Sequence, residues 1–464
     1  MILLLLLHIY FVSFLDKPEK TAPALSPRAI EQRAKWSIPT DDLDYPVSVL
    51  YMDSLRSLGA TICHTSRWFN GATCAMSDSV ADRVSRLHFV TEVEMTRDDS
   101  NSQWSRRKRM MVQNETETVK LTDAQLALYN LLPLHEAGFE GQGILMTICD
   151  GSFYKADTLS CFRQDSLELG HFDFTDDEDD IYGWTGTHGT ACLSLISGIK
   201  DDFYGAATQA QYYLMRSEEH EPESPKEMDN LVAAIEKSDS LGVNIFSISL
   251  GYHNFNNSAW NIPNTALDGR STRASRAATI AARKGMLMCI AAGNEGNSAW
   301  HLIDVPADAD SVLTVGAVDA DSIIGYFSSY GPSADGRVKP EVCALGVHAT
   351  LIHPDGEIFN SNGTSFATPL MAGMAACLWS ARPDENAMQI RDRIIRSAHL
   401  YPNYDPQYHM GYGIPDAWKA YTMDESGLEN IGNDDARCAK VLRNGRVLIL
   451  RNGKTYDITG RCVE

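Results

Sequence analysis

Across residues 120–423, short continuous apolar runs alternate with longer stretches in which apolar residues recur at helical spacing. The runs are GILMTICD, AQYYLMRS, VNIFSISLG, GMLMCIAAGN and DSVLTVGAV. The longer stretches include HGTACLSLISG, MDNLVAAIEKSDSLG, STRASRAATIAARKG, TSFATPLMAGMAACLWSA and NAMQIRDRIIRSA. A strand that lacks polar alternation must be covered on both faces, so this rhythm predicts an α/β fold with a mostly parallel sheet between layers of helices. Such sheets keep their sites beyond the carboxyl ends of the strands.

The flanking regions follow other patterns. Over 22–95, YPVSVLYM, GATICHTSRWF, GATCAM and FVTEVEM read as strands and SDSVADRVSRL as an amphipathic helix, which predicts a small α+β domain. Before it lies the apolar run Ile2–Leu15, fourteen residues long. A membrane span needs about 20 residues, and the run fits the apolar centre of an export signal better. Residues 1–21 are therefore expected to be a signal-like segment, the protein exported to the extracellular space or cell envelope, and the mature chain free of a membrane span. Residues 96–119 are polar and aperiodic and predict an exposed linker or maturation region. Its Arg106-Arg107-Lys108-Arg109 reads as a processing site or as a solvated charge run. Over 424–464, Asn444-Gly445 and Asn452-Gly453 separate alternating runs, which predicts a short β-hairpin appendix.

Composition narrows the partners. The 464 residues carry 40 Lys and Arg against 61 Asp and Glu, a formal charge of -21. Nucleic acid and anionic membrane both demand a basic face, so neither is expected. The ten cysteines include no CxxC pair, which removes zinc-ribbon and dithiol chemistry. Cys149, Cys289 and Cys343 lie in apolar runs and read as core thiols; Cys438 and Cys462 bracket the terminal segment and suggest a disulfide. DFTDDEDD (173–180) offers clustered oxygen ligands for calcium but lacks the glycine and spacing of a defined loop, so it reads as a solvated acidic loop and no metal site is assigned.

The chemistry concentrates at four residues. NGTSFATP puts Ser365 at the start of an apolar helix, ahead of Pro369, where a structural start needs one capping hydroxyl at most. A serine becomes a nucleophile only when a base takes its proton and a carboxylate orients that base. His188, in GWTGTHGTACLSLISG, is crowded by small residues that permit close approach. Asp150 ends the run GILMTICD, and Asn294 follows the run GMLMCIAAGN with an amide suited to a developing oxyanion. Taken singly, Asp150 also reads as a loop starter and Asn294 as a turn residue. The chain order is Asp150, His188, Asn294, Ser365.

With THGT at 187–190, AAGNEG at 291–296 and NGTSFATP at 362–369, the sequence resembles the subtilisin-family serine proteases, or subtilases, over roughly residues 120–423. YFSSYGPSADGRVKPEVCALG (326–346) and SISLG (247–251) are similar to further family segments. Two departures stand out: Asp150 is followed by Gly151-Ser152, where the family usually has Ser or Thr and then Gly, and Phe366 replaces the commoner Met. The resemblance implies a three-layer fold and peptide-bond hydrolysis through an acyl-enzyme on Ser365, with no cofactor required for catalysis. It gives Asp150 the role of orienting His188, His188 that of base, and Asn294 that of oxyanion donor. Ser249, Leu250 and Gly251 would form one wall of the primary specificity pocket and Ala291, Ala292 and Gly293 the other. Polypeptides would be the substrates and the N-terminal domain an intramolecular inhibitor that makes the chain a zymogen. The rival reading is a non-catalytic peptide-binding scaffold on the same fold; loss of Asp150, His188 or Ser365 would favour it, and all three are present.

Overall fold

A computed structural model describes residues 7–100, 122–162, 167–175, 180–183, 185–219 and 223–423, and the strand backbones within 439–457. In the N-terminal domain, β1 (His8–Phe14) is an inner strand, antiparallel to both β3 (Gly71–Met76) and β4 (Val90–Arg97), with β2 (Thr61–Ser66) beyond β3. Tyr10, Val12 and Phe14 face a core shared with Met52, Leu55, Cys74, Met76 and Phe89. This corrects the expectation of a separate segment at 1–21: from His8 onward the apolar run belongs to the domain, which starts well before residue 22. A strand buried on both faces has the same composition as the centre of an export signal, so hydropathy alone does not distinguish them. A second correction concerns YPVSVLYM, whose later half opens a helix, Val49–Ser57. Ser48 accepts the Tyr51 N–H as its cap, Met52 and Leu55 turn inward at helical spacing, and Val49 and Leu50 stay exposed.

The large sheet has seven strands: β5 (Leu145–Asp150), β6 (Glu168–Asp173), β9 (Gln211–Arg216), β10 (Ile245–Ile248), β11 (Leu287–Ala291), β12 (Leu313–Val318) and β13 (Val342–Leu345). Their order is β13-β12-β11-β10-β5-β9-β6, and every neighbouring pair is parallel. Two small ribbons lie outside it, β7 (Ile199–Lys200) with β8 (Phe203–Tyr204) and β14 (Ala349–Ile352) with β15 (Ile358–Ser361). β6 went unread in the sequence because an edge strand, here ELGHFD, needs no apolar run. Alternate residues of one strand feed opposite cores: Met146 and Ile148 join the helices His188–Ser197 and Thr364–Ala381, while Leu145 and Cys149 join Lys226–Leu241 and Arg273–Arg283. The result is three layers, helix, sheet and helix. Strand order reverses between β5 and β10, the position at which open α/β sheets form a crevice.

The N-terminal domain rests on the Lys226–Leu241 helix through buried polar groups. Glu236 accepts Ser66 Oγ at 2.5 Å and the N–H groups of Arg67 and Trp68 at 2.9 and 3.2 Å. Asp239 pairs with Arg33 at 2.7 Å and Arg67 at 2.5 Å. Residues 424–464 make a second unit, in which β16 (Ala439–Arg443), β17 (Arg446–Arg451) and β18 (Lys454–Asp457) form an antiparallel meander. Both Asn-Gly pairs, Cys438, Cys462, Arg106–Arg109 and the acidic residues 176–179 lie outside the described residues. Among the described residues no helix is long and apolar enough to cross a membrane.

Candidate active site

β5 is buried along its whole length, and its last residue delivers the Asp150 carboxylate, 1% exposed, to the crevice. The His188–Ser197 helix begins directly against it. A Cβ at Gly189 would stand 2.2 Å from the Ser152 carbonyl oxygen and 2.9 Å from Asp150 Cβ, so the helix reaches this position only because residue 189 is glycine. Both Asp150 oxygens lie 2.9 Å from His188 Nδ1, which directs Nε2 away from the carboxylate. The imidazole side chain is 37% exposed. Burial acts to lower the His188 pKa, but the Asp150 carboxylate, with Cys192 beside it, more than offsets this, and the value stands well above the ordinary 6.5.

Ser365 is the second residue of the Thr364–Ala381 helix, in a first turn where its own N–H and that of Thr364 have no intrahelical acceptor. Pro369 is its sixth residue rather than part of the first turn, and this position has a consequence for Ser365. Having no N–H, Pro369 gives nothing to the carbonyl four residues earlier, which is that of Ser365. That carbonyl instead accepts Ser249 Oγ at 2.8 Å and Cys192 Sγ at 3.4 Å, tying the helix start to the end of β10 and to the histidine helix. The Ser365 hydroxyl in turn donates to the Ser249 carbonyl at 3.3 Å. Phe366, which replaces the commoner Met, sets its ring 5.7 Å from that of His188.

Asn294 follows β11. Its side-chain oxygen accepts the Thr364 N–H at 2.9 Å and the Thr364 hydroxyl at 3.0 Å, which turns its NH₂ away from that contact; among the described hydrogen bonds the NH₂ has no partner. Ser249-Leu250-Gly251 continues β10 beyond its last ladder position, and none of its backbone groups joins the described backbone hydrogen bonds. Apart from the Ser249 carbonyl, which accepts Ser365 Oγ, its backbone is thus open to an added strand among the described residues. Ala291-Ala292-Gly293 continues β11 opposite, held by Ala292 N–H to Val315 O at 3.0 Å and Ser329 N–H to Gly293 O at 3.0 Å. All ten residues singled out in the sequence thus meet at one end of the sheet. Cys192 reads in the sequence only as a buried core thiol, and Asp304 went unread. Cys192 looks like any helical core residue; for Asp304 the available signal was one acid within the apolar HLIDVP. Two groups of three ligand-type side chains come within 4.8 Å among the described residues, Asp150 with His188 and Cys192, and Glu218 with Glu223 and Glu227. The first is the site itself, and in the second Tyr252 donates to Glu218 at 2.6 Å and the Glu219 N–H to Glu227 at 3.1 Å.

Comparison with known proteins agrees with this geometry. Residues 141–414 match the model of the subtilase family, and residues 9–114 match that of the peptidase S8 propeptide domain of Bacteroidota, which begins inside β1. Subtilisin DY of Bacillus licheniformis is 32% identical over 185 residues, 40% of this chain and 59% of that protein. Subtilisin NAT of Bacillus subtilis subsp. natto is 26% identical over 284 residues, 61% of this chain and 66% of that protein. The chain thus spans less than two thirds of the length of these curated relatives. The crystal structure of MycP1 from Mycobacterium smegmatis shares the fold, with a TM-score of 0.53 at 20% identity, over 69% of this chain and 90% of that one.

Proposed function

The chain belongs to the subtilase family, and on that premise we propose that it is a serine endopeptidase made as a zymogen. The observation that carries the proposal is the double 2.9 Å contact from Asp150 to His188 Nδ1, with the His188 ring 5.7 Å from that of Phe366, the residue after Ser365 at a helix N-terminus. With Nδ1 held, Nε2 takes the Ser365 proton as Oγ attacks the scissile carbonyl. The hydroxyl leaves its long bond to Ser249 for this step, a tightening typical of sites that close on substrate. The Asn294 NH₂ and the Ser365 N–H hold the oxyanion, aided by the positive end of the helix. The imidazolium then protonates the leaving amine, and water, deprotonated by His188, releases the acyl group from Ser365. A peptide pairs as an added strand along Ser249-Leu250-Gly251. The propeptide domain is the intramolecular inhibitor, and maturation cuts within 96–119.

The test is labelling of the purified chain with a fluorophosphonate beside Ser365→Ala, read by intact mass and N-terminal sequencing. Labelling confined to Ser365, with a new N-terminus between 96 and 120, is expected. A fully matured chain that resists labelling would sink the proposal in favour of a peptide-binding scaffold.

A further inference from the structure

The cleft walls close on a side chain that neither wall supplies. Asp304 arrives from the connection between β11 and β12 and is stitched to both. Its N–H donates to Ala292 O at 3.1 Å, and the next residue, Val305, exchanges two backbone hydrogen bonds with Tyr252, at 2.9 and 3.1 Å. The side chain therefore emerges between Gly251 and Gly293. A Cβ at Gly251 would lie 2.7 Å from Asp304 Cβ and 3.2 Å from Oδ2, and a Cβ at Gly293 only 2.5 Å from Oδ2. The two glycines make room for a carboxylate. Oδ1 is taken by His253 Nδ1 at 2.7 Å, and that ring stacks on Trp300 at 4.6 Å. Oδ2 faces the glycines.

We propose that Asp304 forms the floor of the primary specificity pocket and selects a basic side chain, so that cleavage follows Arg or Lys. This rests on the endopeptidase reading given above. The Asp304 side chain is only 10% exposed. Burial raises its pKa; His253 pulls the other way, and the nearby Glu295 adds charge of the same sign as its own. His253 satisfies Oδ1 alone, so a buried negative charge on Oδ2 remains costly until a cation arrives. An Arg or Lys substrate residue meets the need from both ends: its aliphatic stem packs between Leu250 and Ala292, and its head makes a charge-assisted hydrogen bond to Oδ2. An acidic side chain is repelled, and an apolar one leaves Oδ2 without a partner while Oδ1 keeps His253. The chain's own sequence supplies fitting residues, since Arg106-Arg107-Lys108-Arg109 stands in the linker where maturation is proposed to cut.

The experiment measures kcat/KM of the matured enzyme, produced from the full chain, on fluorogenic peptides that differ only in the residue before the cut: Arg, Lys, Phe, Leu or Glu. Arg or Lys is expected to lead, and Asp304→Asn to lower the Arg-to-Phe ratio about a hundredfold. A structural role for Asp304 would lower all five substrates together and leave the ratio in place, which would overturn the proposal. So would a preference of the unsubstituted enzyme for Phe or Leu, a result that stands even where Asp304→Asn does not fold. Fluorophosphonate labelling of Ser365 separates the two readings. A labelled enzyme that prefers Phe loses only the pocket assignment, whereas an unlabelled matured chain loses the hydrolytic one. In that second case the anisotropy of fluorescent peptides ending in Arg or Phe still decides the pocket, Arg being expected to bind more tightly.

Discussion

At the proposed catalytic centre one imidazole meets one carboxylate, and the pair keeps a path to solvent. Where the propeptide domain rests, Arg33, Arg67, Asp44, Glu236, Asp239 and Lys284 are packed together with side chains at most 8% exposed. A histidine in each region shows what the difference does. Burial and the Lys226 charge push His64 of β2 down to about 3, so it stays neutral at any ordinary pH. His188, with Asp150 in place of a lysine, is pushed upward. Burial alone lowers both; the sign of the nearest charge decides which one can exchange a proton. The interface charges are mutually satisfied only while both domains are present. Those at the centre come from one domain and would outlast the proposed cut.

The comparison breaks most sharply if interface charge is removed from one side. In an uncleaved Ser365→Ala chain, Asp239→Ala leaves Arg33 and Arg67 buried without the carboxylate they share, and about 3–5 kcal/mol of stability is expected to be lost. Asp150→Asn in the same background should cost much less, because His188 can release its proton toward solvent. Urea unfolding of the two variants checks this, and equal losses would mean that the regions do not differ as described.

A smaller effect is expected at the centre from a residue that carries no charge. Asn294→Ala removes one oxyanion donor and leaves Asp150 and His188 paired. In subtilisin a loss of this kind costs about 10²–10³ in kcat, and a loss of that order is expected of Asn294→Ala. A KM that barely moves would place the contact in the transition state; a loss confined to KM would move Asn294 to ground-state binding.

How much of this was legible in the sequence follows the same division. The centre is built from strand ends and helix starts, which repeat local patterns: the apolar run that ends in Asp150, the glycine after His188 and the hydroxyls before Pro369. Each of these is a short-range constraint. The interface was invisible, because Arg33, Arg67 and Glu236 are unremarkable charged residues until two domains meet, and nothing within a few positions of Arg33 points to Asp239, 206 residues away. Asp304 lies between these cases. Its apolar neighbours show that it is buried, but only the three-dimensional register of two glycine-bearing walls shows what it faces. β1 failed in the sequence for the opposite reason, since its local signal was strong and equally suited to another use.

The least disruptive test changes only pH. The folded pKa of His188 is raised above its unfolded value, so the protonated pair adds stability that is fully present below pH 6.5 and is lost as pH rises through the folded pKa. The proposed catalysis runs the other way, because Nε2 can accept the Ser365 proton only while the ring is neutral. The acidic limb of kcat/KM for the matured enzyme is therefore expected above 6.5, with activity growing as the stabilising proton leaves. Removing the Asp150 charge leaves burial as the main influence on the ring, so Asp150→Asn should carry the limb downward while its height falls. Cys192→Ala should move it the same way by less, since the thiol lies 3.9 Å from Nδ1, against 2.9 Å for the carboxylate. A profile at constant ionic strength for the three proteins decides the matter: an acidic limb at or below 6.5 in the unsubstituted enzyme would show that the carboxylate does not outweigh burial, and would remove the contrast with His64.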